Sequence, residues 1–248
     1  MSETLPLFPL STVLFPGMRL PLHIFEPRYR QLVRDLLDQP EPRQFGVIAL
    51  RKGREVGASS VSDLSALHEV GCVAAIRHVT PREDGRYDLQ AVGTERFRLL
   101  SLDESKPYFQ GEIERLPEEP RRTGDSTTGA STTGASTTEV GAEISAEAAD
   151  AAVRRVQAGF REYLNALADR GGGVISVAEL PDEPLLLSYV VAAAMIIDLP
   201  DRQGLLAAPD PVARLKAERT LLTRETAMLK ATTSRPAPDF KYEQFSEN

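Results

Sequence analysis

Residues 126–138 read STTGASTTGASTT, a short tandem repeat with no side chain larger than threonine. Such a segment has almost no apolar surface to bury, so little offsets the entropy lost on ordering it. It reads as a flexible spacer that splits the chain into two differently patterned halves. Pro117, Pro120 and Arg121-Arg122 extend the irregular stretch upstream, and the low-complexity insert is placed at residues 119–144. Residues 1–118 then form a β-rich half and residues 145–235 a helical one. Residues 236–248, PAPDFKYEQFSEN, read as a disordered tail.

In the first half the period is that of strands. Leu20, Leu22 and Ile24 alternate with Pro21, His23 and Phe25, and residues 45–50 and 70–76 are apolar runs of strand length. Asp84-Gly85 is a hairpin turn. Tyr87, Leu89 and Ala91 alternate with Asp88 and Gln90, and Gly93 is expected to turn the chain again before Phe97 and Leu99. Phe109, Gly111 and Ile113 face one way, with Gln110, Glu112 and Glu114 facing the other. The sum is a meander of about five to seven short strands, the profile of a small barrel or sandwich. One helix interrupts it. Pro27 sits near its start, Tyr29, Leu32, Val33, Leu36 and Leu37 share a face, and Pro40 stops it.

In the second half the spacing becomes three and four. Val153, Val156, Phe160, Tyr163, Leu164 and Leu167 mark a helix closed by the glycines at 171–173. Residues 185–197 predict a second helix, apolar nearly all round and therefore central. A turn at 203–208 precedes a last helix opened by Asp210-Pro211, with Leu215, Leu222 and Leu229 seven apart and Leu221 and Met228 beside them.

Charge and cysteine content narrow the function. The formal net charge is −7, and neither half hides a basic module: residues 1–118 hold 15 Lys+Arg against 17 Asp+Glu, residues 139–248 hold 12 against 17. An acidic chain repels phosphate backbones, so nucleic acid is not an expected partner. The single cysteine, Cys72, permits no intrachain disulfide. The opening residues lack a basic, apolar leader, and the apolar run at 185–199 is shorter than the roughly 20 residues a membrane span requires. A soluble cytoplasmic protein is expected.

The search for chemistry is almost empty. The sequence contains no phosphate-binding G-x-x-x-x-G-K-[ST], no G-x-G-x-x-G and no G-x-S-x-G nucleophile elbow. His23, His68 and His78 have no metal-ligand spacing, and His23 reads as a half-buried structural imidazole within a strand. Cys72, inside an apolar run, reads as core rather than as a nucleophile. Glu83-Asp84 and Asp103-Glu104 fall at turns, where neighbouring side chains diverge, so they read as solvated charges. Arg28 and Arg30 flank Tyr29 and could meet an anion, but an exposed helix face explains them more simply. No catalytic, cofactor or metal residue is assigned, and no cofactor is expected.

The opening, LPLFPLSTVLFPGMRLPLHIFEPRYRQLV at 5–33, is distinctive. Its prolines confine strands to edges and first positions, and Pro16-Gly17 sets a tight turn. With Glu69-Val70-Gly71-Cys72-Val73-Ala74, Gly85-Arg86-Tyr87, Val92-Gly93-Thr94-Glu95-Arg96-Phe97, the run at 185–199 with Pro200 and Gln203-Gly204-Leu205-Leu206, and Arg214-Leu215, it resembles the N-terminal, substrate-binding domain of the Lon protease family. The resemblance covers roughly residues 5–115 and 145–230. It implies an α+β fold, a PUA-like β pseudo-barrel followed by a C-terminal helical bundle. The Walker motif and the serine–lysine dyad of the full protease are not in this sequence, so the resemblance implies a standalone substrate-binding domain protein.

The resemblance thus implies a non-enzymatic polypeptide-recognition or adaptor protein. Its partners would be other polypeptides, unfolded or tagged, with a protease as a further partner. Binding would use apolar surface on the sheet half or the groove between the halves. The contact residues stay unassigned, with the segment around Phe15 to Met18 as a candidate whose Phe15 is better read as core. Two other readings are an RNA-binding PUA-like module, disfavoured by charge, and a small-ligand sensor, for which the chain has no Trp to build an aromatic cage.

Overall fold

The computed structural model describes residues 3–51, 64–116, 118, 136–171 and 179–233, with side chains of the long first bundle helix described from Glu147. Most of the 119–144 insert and the tail at 236–248 lie outside the described residues.

Six strands make one mixed sheet: β1 (Glu3–Leu10), β2 (Arg19–Ile24), β3 (Gln44–Ala49), β4 (Val70–Pro81), β5 (Tyr87–Asp103) and β6 (Gln110–Leu116), in the order β2-β5-β4-β3-β1-β6. The sheet closes because β5 also pairs with β6. β5 can serve both neighbours because it is long. Residues 87–92 pair antiparallel with β2 and residues 96–103 with β6. Register shifts at Cys72/Ala74, Ile76/His78 and Leu99/Ser101 supply the bends that closure needs. Two expectations are corrected. The sheet is not a pure meander, since β1 runs parallel to β3. Gly93 does not reverse the chain. It lies inside continuous β5, where a Cβ would stand 2.3 Å from the carbonyl oxygen of Phe15.

Strand alternation gives the sheet two apolar faces. Leu5, Leu7, Ile48, Val73, Phe97, Leu99 and Ile113 fill one cluster. Phe8, Leu10, Phe45, Val47, Cys72 and Ala74 face the other way and are covered by helix α1 (Pro27–Leu37). That helix starts on Pro27, whose missing N–H costs nothing at a first helical position. It buries Tyr29, Leu32, Val33 and Leu36, and Tyr29 stacks on Phe8 with ring centroids 4.0 Å apart.

The second half contains α2 (Ser136–Gly171), α3 (Pro184–Ala194), α4 (Leu199–Leu206) and α5 (Pro211–Thr233). α2 begins at Ser136, so residues 136–144, assigned from sequence to the insert, are helical backbone. The expected helix over 185–197 ends at Ala194, and the expected turn at 203–208 is largely α4, whose N-cap Asp198 accepts from Asp201 N. Val153, Val156, Phe160, Tyr163, Leu187, Val191, Leu215 and Leu222 form the bundle core. The lobes share a further cluster: Val13, Phe15, Ala49 and Val70 from the β-rich half pack on Leu185, Tyr189, Ala192, Leu205 and Leu206. Among the described residues no helix is long and apolar enough to cross a membrane.

Candidate functional site

The turn at Pro16-Gly17 holds the first wall of a groove between the lobes. Gly17 has φ 82°, a region that costs other residues strain, and its N–H donates to the Gly93 carbonyl at 2.8 Å. The Gly93 N–H returns a 2.9 Å bond to the carbonyl of Met18. This close approach fixes Pro16, Gly17 and Met18 beside Thr94, Glu95 and Arg96 of β5. The opposite wall is one face of α3, with Leu186, Val190 and Ala193, and Leu116 at the end of β6 completes it. The cavity is about 390 Å³, near the lower end of the ~300–1,000 Å³ typical of ligand pockets.

The sequence reading of α3 as a fully enclosed helix is therefore corrected. Leu186 is 55% and Val190 42% exposed, and Ile196, just beyond the helix, is 67% exposed. An apolar stripe left open beside a concave surface marks an interaction site more often than a scattered exposed leucine does. The only hint of it in the sequence was a helix lacking the polar face that solvent contact usually brings.

Beneath the groove lies a buried charge network. The Arg96 guanidinium pairs with Glu118 and donates to the carbonyls of Leu206 and Ala208 at 2.9 and 2.6 Å, closing the C-terminal end of α4. Arg214, fully buried, donates to Glu118 Oε1 at 2.8 Å, to the Leu205 carbonyl at 2.9 Å and to Ser188 Oγ at 3.0 Å. Its guanidinium carbon lies 4.2 Å from the centroid of the Tyr189 ring, and the Tyr189 hydroxyl donates to the second oxygen of Glu118. Burial pushes the Tyr189 phenol well above its usual range, so it stays protonated. Arg96 and Arg214 are thus both paired with Glu118, and what the groove chiefly offers a ligand is apolar surface.

The candidate residues from sequence fall as follows. Phe15 is core, fully enclosed, with Tyr189 at 6.4 Å between ring centroids, while Pro16, Gly17 and Met18 line the groove. His23 is not half-buried but exposed. Its Nδ1 lies 2.8 Å from Asp88, which also holds Arg82, because β2 is an edge strand and residue 23 points outward. His78 is exposed, and the partly enclosed His68 is held below its usual pKa by burial and then by Arg51. Cys72 is buried, and burial pushes its thiol far up, out of the range of a nucleophile. Glu83-Asp84 and Asp103-Glu104 are exposed at their turns. Arg28 pairs with Glu26 at 3.0 Å and lies over the Tyr29 ring, and both Arg28 and Arg30 are partly buried rather than fully solvated. Among the described residues no cluster of three or more His, Cys, Asp or Glu could hold a metal ion.

Three of the segments that carry the sequence resemblance, 16–18, 93–96 and 185–193, converge on this groove. The family described as the ATP-dependent protease La (LON) substrate-binding domain matches residues 4–224. The chain belongs to this family. Lon protease 2 of Syntrophobacter fumaroxidans is 26% identical over 228 residues, 92% of this chain and 25% of that protein. The Lon protease of Paraburkholderia phytofirmans is 29% identical over 214 residues, 86% of this chain and 23% of that protein. The chain spans about a quarter of the length of these relatives, in the part that corresponds to the Lon substrate-binding domain. The fold is shared with the Lon N-terminal domain protein from Xanthomonas campestris (22% identity, TM-score 0.53, covering 89% of this chain and 98% of that one). It is shared also with the N-terminal domain of Mycobacterium avium complex Lon protease (15%, TM-score 0.55, 91% and 98%). The α+β class expected of a Lon substrate-binding domain is therefore the class found.

Proposed function

We propose that this Lon substrate-binding domain grips apolar segments of other polypeptides in the groove between its lobes, without catalysing a reaction on them. The observation that carries the reading is the open stripe of Leu186 and Val190 facing Met18 and Leu116 above charges already spent on one another. An extended chain could lay one or two large side chains into the cavity, and burying each contributes about 1.5–3 kcal/mol. A free nucleophile or an unpaired acid–base couple would argue for chemistry. The groove's ionisable lining groups are instead committed: Arg96 to Glu118, Glu95 to Arg115. A protease that receives the captured chains is the natural partner. The acidic balance of the chain, net charge −7, disfavours nucleic acid, and a cytoplasmic site of action fits the reading.

The test is a photo-crosslinking side chain placed at Val190, compared with the same group at exposed Thr220 of α5, which does not line the groove. Irradiation in cells followed by mass spectrometry should recover many polypeptides from the first position and few from the second. Equal yields at both positions would sink the reading.

A further inference from the structure

α2 and α5 lie side by side and point the same way: Leu215 packs with Ala152 and Val156, a Cβ added at Gly159 would stand 3.7 Å from the Leu222 side chain, and Lys230 pairs with Glu162 at 2.6 Å. Two depressions follow one another along the seam. The smaller, about 250 Å³, lies over Gly159, Leu222 and Ala227, towards the end of α5. The larger, about 400 Å³, has Ala151, Ala152, Val156 and Leu215 as its floor and Arg155, Lys216 and Arg219 on its rim, against the single acid Glu147. Those three cations are exposed, and none has an ion-pair partner among the described residues. The seam therefore offers an apolar track with a positive margin at its far end. The lone carboxylate of Glu147 leaves that margin with a surplus of two positive charges.

One segment of this chain has the matching chemistry. Residues 236–248 carry Phe240, Tyr242 and Phe245, with Asp239, Glu243 and Glu247 against the one cation Lys241. They follow directly from α5, which ends at Thr233 beside the smaller depression. Reach decides whether the match can be realised. Lys216 lies 17 residues back along α5, about 26 Å at ~1.5 Å per helical residue. Tyr242 and Phe245, nine and twelve residues beyond Thr233, can extend at most about 30 and 40 Å. Phe240 can extend about 23 Å, enough to turn back over Gly159 and Leu222. Tethering also raises the local concentration of this segment far above that of any competitor.

We propose that the seam between α2 and α5 is a docking track for the chain's own C-terminal segment, residues 236–248. Phe240 covers the Gly159–Leu222 depression, and Tyr242 and Phe245 reach the second one, with their acidic neighbours against Arg155, Lys216 and Arg219. The track shares no lining residue with the groove between the lobes, so it stands or falls independently of polypeptide capture there.

The test uses the full chain with Ser246→Cys bearing a nitroxide, Cys72 being buried and unlabelled. Paramagnetic broadening of the amides of Arg155, Lys216 and Arg219 is expected, and it should weaken in high salt. Lys216→Glu combined with Arg219→Glu, or Phe245→Ala alone, should relieve it while leaving the far-ultraviolet dichroism unchanged. Mixing nitroxide-labelled chains with unlabelled, isotope-enriched ones separates a second copy from the chain's own tail. Broadening that appears in the mixed sample, or none at these amides in any sample, overturns the proposal.

Discussion

Glu118 and Arg214 meet across the junction of the lobes, 2.8 Å apart, one just beyond the end of β6 and the other in the first turn of α5. Arg96 of β5 closes on the same carboxylate, so one acid holds two guanidiniums contributed by different lobes. The side chains of Arg96, Glu118 and Arg214 are 5%, 10% and 0% exposed, which places the triad in the regime where loss of one member is costly.

Glu118→Gln therefore leaves two buried cations without a counter-charge. Denaturant titration should show a loss of about 3–5 kcal/mol. Glu114→Gln is the control, because the Arg98–Glu114 pair is half exposed at 3.3 Å and should change stability by no more than ~1 kcal/mol. Equal small losses would mean that the lobes are held by apolar packing alone.

The stripe on α3 predicts the opposite separation. Leu186→Gln with Val190→Gln alters two exposed positions and should shift stability by about 0.5 kcal/mol or less per site. Capture of a polypeptide should weaken at least ~10-fold, since that factor corresponds to only ~1.4 kcal/mol of lost apolar burial. Fluorescence anisotropy with a labelled, permanently unfolded protein reads the binding arm. Unchanged affinity in a folded double variant would move the binding site elsewhere.

Strand alternation made most of the β-rich half readable. Leu20, Leu22 and Ile24, or Gly111 and Ile113, announce their face because one side of each strand meets solvent. The parallel pairing of β1 with β3 had no such signature, since it depends on which long-range partner the proline-rich first strand finds. Gly93 was misread because a glycine that turns the chain and a glycine that lets another backbone approach are identical in sequence. The site was half legible. Pro16, Gly17 and Met18 stood out by their turn chemistry, whereas Leu186 and Val190 were hidden by an all-apolar pattern that conventionally denotes burial. Glu118 carried no periodic signal at all, being placed by the two arginines that converge on it.

The two glycines of the groove wall should respond differently to a methyl group. At Gly17 a Cβ meets nothing within 4 Å, so Gly17→Ala is limited to the strain of φ 82°, about 1–2 kcal/mol. At Gly93 it would meet the Phe15 carbonyl oxygen, which is backbone and cannot rotate away, at 2.3 Å, and the buried Cys72 Sγ at 3.1 Å. Gly93→Ala must displace the turn that seats Phe15, and thermal unfolding should rank it clearly below Gly17→Ala. The reverse ranking would mean that the turn is held loosely.

Glu218 gives the chain a pH dependence of definite sign. It lies fully buried on α5, one turn beyond Arg214, with neither carboxylate oxygen hydrogen-bonded among the described residues. Burial pushes its carboxyl from the usual 4.5 up to about 9, with Arg214 opposing the shift only in part. Below the unfolded value both states hold the proton, and the protonated side chain's contribution is complete. Between 4.5 and about 9 the unfolded chain releases a proton that the folded chain keeps, so stability falls as pH rises, by up to tenfold in the folding constant per unit. Glu218→Gln removes that proton from both states. Its advantage over the parent, read from urea titrations, should be small near about pH 5 and widen steadily towards about pH 8. Parallel stability curves for the two proteins across this window would show that the carboxylate is ionised and paired inside the bundle.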